Sequence, residues 1–138
     1  MSSAAAKLVT LAQSSDPKQA MLKAVGDLSN VHLFSGRVLI GIYVAPEKTL
    51  GGIIRPTTNL KEDIYQGVVG LVLKKGATAF KDDGETKFYG QDIAVGDWVT
   101  FRPGDGKRIQ INDVDCRVIE DTLIDMVVTD PSIVTHSR

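Results

Sequence analysis

The sequence has 138 residues, of which 43% are hydrophobic, and its formal net charge at pH 7 is −1. This length fits one domain with extensions, and the near-neutral charge argues against a nucleic-acid-binding surface, because contacts to phosphates need an excess of basic residues. The single cysteine, Cys116, excludes an intramolecular disulfide, and no apolar run approaches the roughly 20 residues of a membrane-spanning helix. Residues 1–7 lack the charged start and apolar run of a secretory signal, so we expect a cytoplasmic protein without membrane or nucleic-acid partners.

The N-terminal part, residues 1–32, is predicted to be a helical extension. Asp16 can cap a helix by accepting a backbone N–H bond, and Pro17 suits the first turn because the donor it lacks would be unpaired there. Apolar residues then recur at helical spacing: Ala20, Met21, Ala24, Val25 and Leu28. This apolar stripe must pack either against its own domain or against a neighbouring subunit.

From Val38 onward the pattern becomes that of β-structure. Residues 38–44 alternate with the period of a strand, which Pro46 ends. Residues 47–63 show no regular period, and an irregular stretch of this length in a compact domain is usually functional or disordered. A second strand is predicted over residues 64–75, where glycines such as Gly70 indicate a bulge or a tight corner.

The rest of the chain is predicted to consist of short strands separated by turns. The Asp83-Gly84 pair predicts a polar hairpin over residues 77–88, and Val95-Gly96-Asp97 predicts a turn. Further short strands are predicted over residues 98–101, 109–111, 115–119 and 122–128, before a polar tail at 129–138. Many short strands with regular turns indicate an all-β fold, either a sandwich or a barrel.

The sequence offers little for catalysis, so we expect a binding protein rather than an enzyme. The two histidines, His32 and His136, both lie in the predicted extensions and have no partner pattern nearby. Asn112, Asp113 and Asp115 lack the glycine and glutamate of a calcium loop and are interpreted as turn residues. Residues 104–107 lack the ending of a phosphate-binding loop and are interpreted as a turn. No cofactor or metal is expected.

Four stretches, taken in order, resemble the GroES-type co-chaperonin family. Residues 36–40 resemble the family's first strand, and residues 51–54 resemble its mobile loop, in which paired glycines precede the apolar residues that dock on the chaperonin. Residues 82–85 followed by 93–101 resemble the roof hairpin and the next strand, and residues 111–127 resemble the closing strands. The resemblance covers residues 33–128 and leaves an N-terminal helical extension (1–32) and a C-terminal tail (129–138).

The resemblance implies an all-β fold, a GroES-like small β-barrel with a protruding loop and hairpin. It implies a homo-oligomeric co-chaperonin that caps a chaperonin ring and assists protein folding. The residues implied for the partner-binding loop are Gly51, Gly52, Ile53, Ile54 and Arg55, and those for the roof hairpin are Asp83, Gly84, Phe88 and Tyr89. Phe88 and Tyr89 could face the lumen of a ring, pack between subunits or pack within the hairpin, and residues 51–54 could instead form a plain hairpin turn.

Two features depart from the cellular members of the family. Arg55 occupies the third docking position, which is typically apolar, and residues 1–32 precede the first strand. A family member with such an N-terminal extension is similar to GroES-like proteins encoded by bacteriophages. The alternative function is therefore a structural protein of the virion, a capsid-decorating or head-associated protein that binds capsid protein and reuses the same barrel.

Overall fold

The computed structural model describes residues 10–11, 15–44 and 68–134. Its helix and strands are α1 (Pro17–Val25), β1 (Arg37–Ile42), β2 (Val69–Lys75), β3 (Trp98–Thr100), β4 (Lys107–Ile111), β5 (Val114–Glu120) and β6 (Met126–Val128). Two short 3₁₀ helices span Asp121–Leu123 and Pro131–Ile133.

The six strands form one antiparallel sheet in the order β4-β5-β1-β2-β3-β6. The mostly β fold that the sequence predicts is confirmed in this sheet. Strands β4 and β6 are its edges, and within the described part of the chain no ladder joins them. The closure of the sheet into a barrel therefore stays a prediction.

The core lies along the central strands β1 and β2, which are covered on both faces. Every residue from 38 to 42 in β1 and from 69 to 73 in β2 is buried. The register of the two strands shifts between Leu39, which pairs with Lys74, and Ile40, which pairs with Val72. Leu73 is thus the extra residue of a β-bulge, a feature that bends a strand and increases its twist.

Gly70 in β2 is required by the close approach of a neighbouring backbone. A Cβ atom at this position would lie 2.7 Å from the carbonyl oxygen of Gly41 and would also overlap the side chain of Ile40. From the sequence, Gly70 is expected to mark a bulge or a tight corner. The bulge lies at Leu73 instead, and Gly70 serves the contact between β1 and β2.

The helix α1 begins as the sequence predicts. The Asp16 side chain accepts a hydrogen bond of 3.2 Å from the backbone N–H of Gln19, and Pro17 occupies the first turn. This bond satisfies one of the backbone donors that a helix start leaves without a partner inside the helix.

The apolar stripe of α1 packs against its own sheet, which decides between the two alternatives left open by the sequence. Met21 and Val25 are each only 1% exposed, and the Met21 sulfur lies against Gly41 of β1. Beyond the end of the helix, the Asn112 side-chain amide donates to the carbonyl of Val25 (2.6 Å), and the Lys74 ammonium donates to the carbonyl of Leu28 (2.7 Å). The described part of the extension is thus integrated into the domain.

Two predicted elements differ in the structure. Residues 77–88 contain turns and no strand, because side-chain carboxylates, rather than a ladder, hold this segment. The strand predicted over 122–128 is shortened to β6, because the 3₁₀ helix Asp121–Leu123 occupies its start. The N–H of Ile124 donates to the carbonyl of Asp121 (3.3 Å), and the carboxylate of Asp121 accepts from the N–H of Phe80 (2.9 Å).

Candidate docking surfaces

The predicted partner-binding residues Gly51, Gly52, Ile53, Ile54 and Arg55 lie outside the described residues. The structure does describe the stem from which this segment departs and to which it returns. At the stem, the N–H of Tyr43 donates to the carbonyl of Val69 (3.1 Å), so the chain leaves β1 and re-enters β2 at adjacent points.

Aromatic packing and a further backbone bond fix this stem. The rings of Tyr43 and Trp98 meet edge to face, with centroids 5.3 Å apart, and Trp98 is buried. The N–H of Phe101 donates to the carbonyl of Val68 (2.9 Å). Burial, and then the charge of Asp130, raise the pKa of the Tyr43 hydroxyl above its ordinary value. The stem is thus joined to the core by ring packing and by backbone hydrogen bonds.

Carboxylates shape the predicted roof segment around Asp83 and Gly84. The Asp83 side chain accepts bonds from the N–H groups of Glu85 (2.7 Å) and Thr86 (2.5 Å), and the Asp82 side chain accepts from that of Phe88. The bonds from Thr86 and then Glu85 hold the pKa of Asp83 below its ordinary value. An ionised Asp83 therefore holds the segment in a tight turn.

The side chains of Phe88 and Tyr89 lie in different environments. Phe88 is half-buried and packs edge to face on Phe80, with centroids 5.8 Å apart. Tyr89 is 83% exposed and has a φ of 55°, in the left-handed region that non-glycine residues rarely adopt. The structure thus separates the two aromatic residues, with Phe88 packed within the domain and Tyr89 presented outward.

A surface that the sequence analysis did not single out lies along the edge strand β6. Met126 is 52% exposed and Val127 is 47% exposed, although both are apolar strand residues. They line a cavity together with Phe88, Ile93 and Ile124, and Asp92 and Asp125 lie at the same cavity. In the sequence, the apolar run at 126–128 in the last predicted strand is the feature that could have indicated this surface. The opposite edge, β4, presents exposed Lys107, Arg108 and Gln110 instead.

Nothing in the described residues resembles a reactive centre. Cys116 is buried in β5, and burial raises the pKa of its thiol to about 12, which keeps it protonated at neutral pH. His32 is exposed, and His136 lies outside the described residues. Among residues 10–11, 15–44 and 68–134, no group of three or more potential metal ligands occurs.

Two predicted turns are present with different bounds. Asn112 and Asp113 have positive φ values (49° and 66°) and join β4 to β5, whereas Asp115 lies in β5 rather than in the turn. The turn predicted over 104–107 lies at 102–105, where the N–H of Asp105 donates to the carbonyl of Arg102 (3.1 Å), and Lys107 begins β4. In the part of the chain that is described, no helix is long and apolar enough to cross a membrane.

Comparison with known proteins places these features in one family. The family model described as the chaperonin 10 kDa subunit matches residues 30–128, which is well over half of the chain. No curated protein matches. The matched range includes all six strands and both segments that the sequence analysis associates with docking and with the roof.

Proposed function

Because this chain belongs to the chaperonin 10 kDa subunit family, and so is a co-chaperonin of the GroES type in general terms, we propose that it caps a chaperonin ring through residues 51–55. The supporting observation is the stem described above. The hydrogen bond between Tyr43 and Val69 holds the end of β1 next to the start of β2, on either side of the proposed docking segment. A segment held in this way can reach a partner while the rest of the domain stays folded.

The chemistry of the segment suits weak, repeated docking. Gly51 and Gly52 lack a Cβ and tolerate unusual backbone angles, while Ile53 and Ile54 each contribute about 1.5–3 kcal/mol when fully buried. Ordering the backbone costs about 1–2 kcal/mol per residue, so a single segment binds weakly. Several segments on one oligomer bind together, and their avidity replaces single-site affinity. Arg55 reduces the apolar anchor but can bury its stem while its charge stays in water.

The proposed lid requires self-association, and we infer that β6 is the self-association surface. Exposed strand edges with apolar side chains are usually covered by another strand, by a loop or by a partner. Met126 and Val127 expose such an edge, whereas Lys107 and Arg108 give β4 the charged character that discourages edge pairing. A second copy of the chain is the proposed partner of β6.

The alternative role as a virion protein gains no support from the extensions. In that role, the N-terminal helix and the C-terminal tail would bind neighbouring molecules. Met21 and Val25 instead pack the helix onto its own sheet, and Pro131, near the start of the tail, is buried. We therefore favour the co-chaperonin role.

The test is the association of the purified protein with a chaperonin double ring in the presence of ATP, observed by sedimentation and electron microscopy. The double variant Ile53→Asp/Ile54→Asp is expected to lose association, because the apolar anchor is removed. Thr57→Asp/Thr58→Asp adds the same charge to the same segment without removing an anchor, so it is expected to bind. Arg55→Leu is expected to bind more tightly than the wild type.

Two outcomes contradict the proposal. If neither the wild type nor Arg55→Leu associates with the double ring, the co-chaperonin role is wrong. If the Ile53/Ile54 and Thr57/Thr58 variants bind equally well, the protein docks through another surface.

A further inference from the structure

The C-terminal tail begins next to the stem of the proposed docking segment. Strand β6 pairs with β3, and the register of this pair places Val128 opposite Trp98. The Trp98 ring packs edge to face on the ring of Tyr43, which directly follows β1. The chain that continues beyond Val128 therefore leaves the sheet beside the stem.

The described part of the tail is folded onto the domain. Its 3₁₀ helix begins at Pro131, which is buried, and Val134 is half-buried against the core. The Asp130 side chain caps this short helix, since its carboxylate accepts from the N–H (3.0 Å) and from the hydroxyl (2.6 Å) of Ser132. Pro131 and Val134 thus face inward.

The charge of the tail also acts on the stem. After burial, the charge of Asp130 is the second cause that raises the pKa of the Tyr43 hydroxyl, so this carboxylate lies near the tyrosine. Bonds from the hydroxyl and then the N–H of Ser132 hold the pKa of Asp130 below its ordinary value, and Asp130 is therefore ionised at neutral pH. Tyr43 is thus bordered by the Trp98 ring and by the charged start of the tail.

The tail lies outside the part of the chain that matches the family. The match ends at residue 128, whereas the inward-facing Pro131 and Val134 follow it. The last residues of a domain are usually poorly ordered unless they are docked onto it. The docking of this tail beside the stem is therefore a feature of this chain that the family match does not account for.

We propose that residues 130–134 are a positioning element for the docking segment, because they hold its stem in one conformation. This inference rests on the proposed function. A segment that starts from a fixed stem loses less conformational freedom when it binds than one that starts from a loose stem. If the stem loosens, fewer molecules are competent to bind, and the apparent affinity falls by the same fraction.

The first test needs no chaperonin and measures amide hydrogen exchange of the full chain by NMR. Pro131→Asp places a charge at a buried position and is expected to detach the tail. The N–H groups of Tyr43 and Phe101, whose backbone bonds close the stem, should then exchange faster by about tenfold or more. Ile133→Asp is the matched control, because it adds the same charge to the same tail at a side chain that is 72% exposed. It should leave both rates unchanged.

The N–H of Gly76 separates a local effect from a general loss of stability. It donates to the carbonyl of Arg37 (2.8 Å) at the opposite end of the ladder between β1 and β2. Its exchange rate should change much less than that of Tyr43. Pro131→Ser, which adds no charge, supplies the same comparison in a milder form if Pro131→Asp does not fold.

The titration of Tyr43 tests the contact with the tail directly. Asp130→Asn removes the charge but keeps an oxygen that can accept from Ser132, so the tail stays folded. The pKa of Tyr43 should fall toward its ordinary value, which NMR of isotope-labelled tyrosine rings measures. Asp125→Asn is the control, because Asp125 precedes β6 at its other end and does not act on Tyr43. Equal pKa values in the two variants would show that the tail does not lie at the stem.

The second test is association with a chaperonin double ring in the presence of ATP. Pro131→Asp should weaken association by about tenfold or more, whereas Ile133→Asp should bind like the wild type. Variants are compared at the sedimenting mass of the wild type, since avidity depends on the oligomer.

Each contrary result has a distinct meaning. If Pro131→Asp and Ile133→Asp give equal exchange at Tyr43 and Phe101, the tail does not hold the stem, and the inference is wrong whatever the chaperonin does. If exchange rises while association is unchanged, the tail does not position the docking segment, and the inference is again wrong. A wild type that does not associate at all contradicts the proposed function, and the positioning role fails with it even where the exchange rates differ.

Discussion

Gly70 marks the point in the core where there is least room for a side chain. A Cβ at this position would lie 2.7 Å from the backbone oxygen of Gly41, and the backbone of a central strand cannot move away as a flexible side chain can. Gly70→Ala is expected to lower the free energy of unfolding by about 1–3 kcal/mol, the usual cost of overpacking. Urea denaturation measures this change.

Gly104→Ala is the matched control for Gly70→Ala. A Cβ at Gly104 meets nothing within 4 Å, so its effect should stay within about 0.5 kcal/mol. Equal effects at the two positions would contradict the close approach of β1 and β2.

Cys116 predicts a loss of stability in alkaline solution. Burial raises the pKa of its thiol from 9.0 to about 12, so the unfolded chain ionises at a lower pH than the folded one. The stabilisation from this group is complete below the unfolded pKa and is lost as the pH rises toward the folded pKa. In urea denaturation, the stability advantage of the wild type over Cys116→Ala should shrink between about pH 8 and about pH 10.5. A constant advantage over this range would show that the thiol is not desolvated.

Residue chemistry explains which local features could be predicted from the sequence. The Asp16-Pro17 start of α1 and the Asn112-Asp113 turn depend on neighbours in the chain, so local patterns reveal them. The burial of Arg117 depends on Phe101 and Pro103, which lie on a different element, and its charge predicts an exposed residue. Long-range contacts of this kind have no local signal.

At the scale of elements, the docking of α1 predicts unequal roles for two adjacent side chains. Met21 is 1% exposed and lies against β1, whereas Leu22 is 37% exposed. Met21→Ala is expected to lower the free energy of unfolding by about 2–5 kcal/mol, since it removes buried atoms and leaves a cavity. Leu22→Ala, one position along the same helix, should cost less than about 1 kcal/mol. Urea denaturation of both variants gives the comparison, and similar losses would mean that α1 does not pack as described.

Sequence patterns predict the strands themselves but not how the strands are arranged in the sheet. Alternation and turn residues predict a strand near each of the six observed strands, but they do not give the order β4-β5-β1-β2-β3-β6. Carboxylate-to-backbone bonds replace the predicted hairpin at 77–88, because Asp82 and Asp83 compete with a ladder for the same N–H groups. The main docking prediction, residues 51–55, stays a prediction.

At the scale of the whole molecule, β6 predicts how the chain associates with itself. Val127→Arg places a charge on the exposed edge and is expected to reduce the oligomer to smaller species in analytical ultracentrifugation. Ile133→Arg is the matched control, because Ile133 is also an exposed aliphatic residue but does not line the β6 cavity. Circular dichroism verifies that both variants are folded. If Val127→Arg leaves the sedimenting mass unchanged, β6 is not the self-association surface.

The attachment of α1 also limits how far this chain can be shortened. A truncated protein that begins at Leu33 would keep most of the range that matches the family, residues 30–128. It would, however, expose the apolar surface of the sheet that Met21 and Val25 now cover. It would also deprive Lys74 and Asn112 of the carbonyl groups to which they donate. Such a fragment should aggregate during expression, because residues 17–28 cover this surface and accept these two hydrogen bonds.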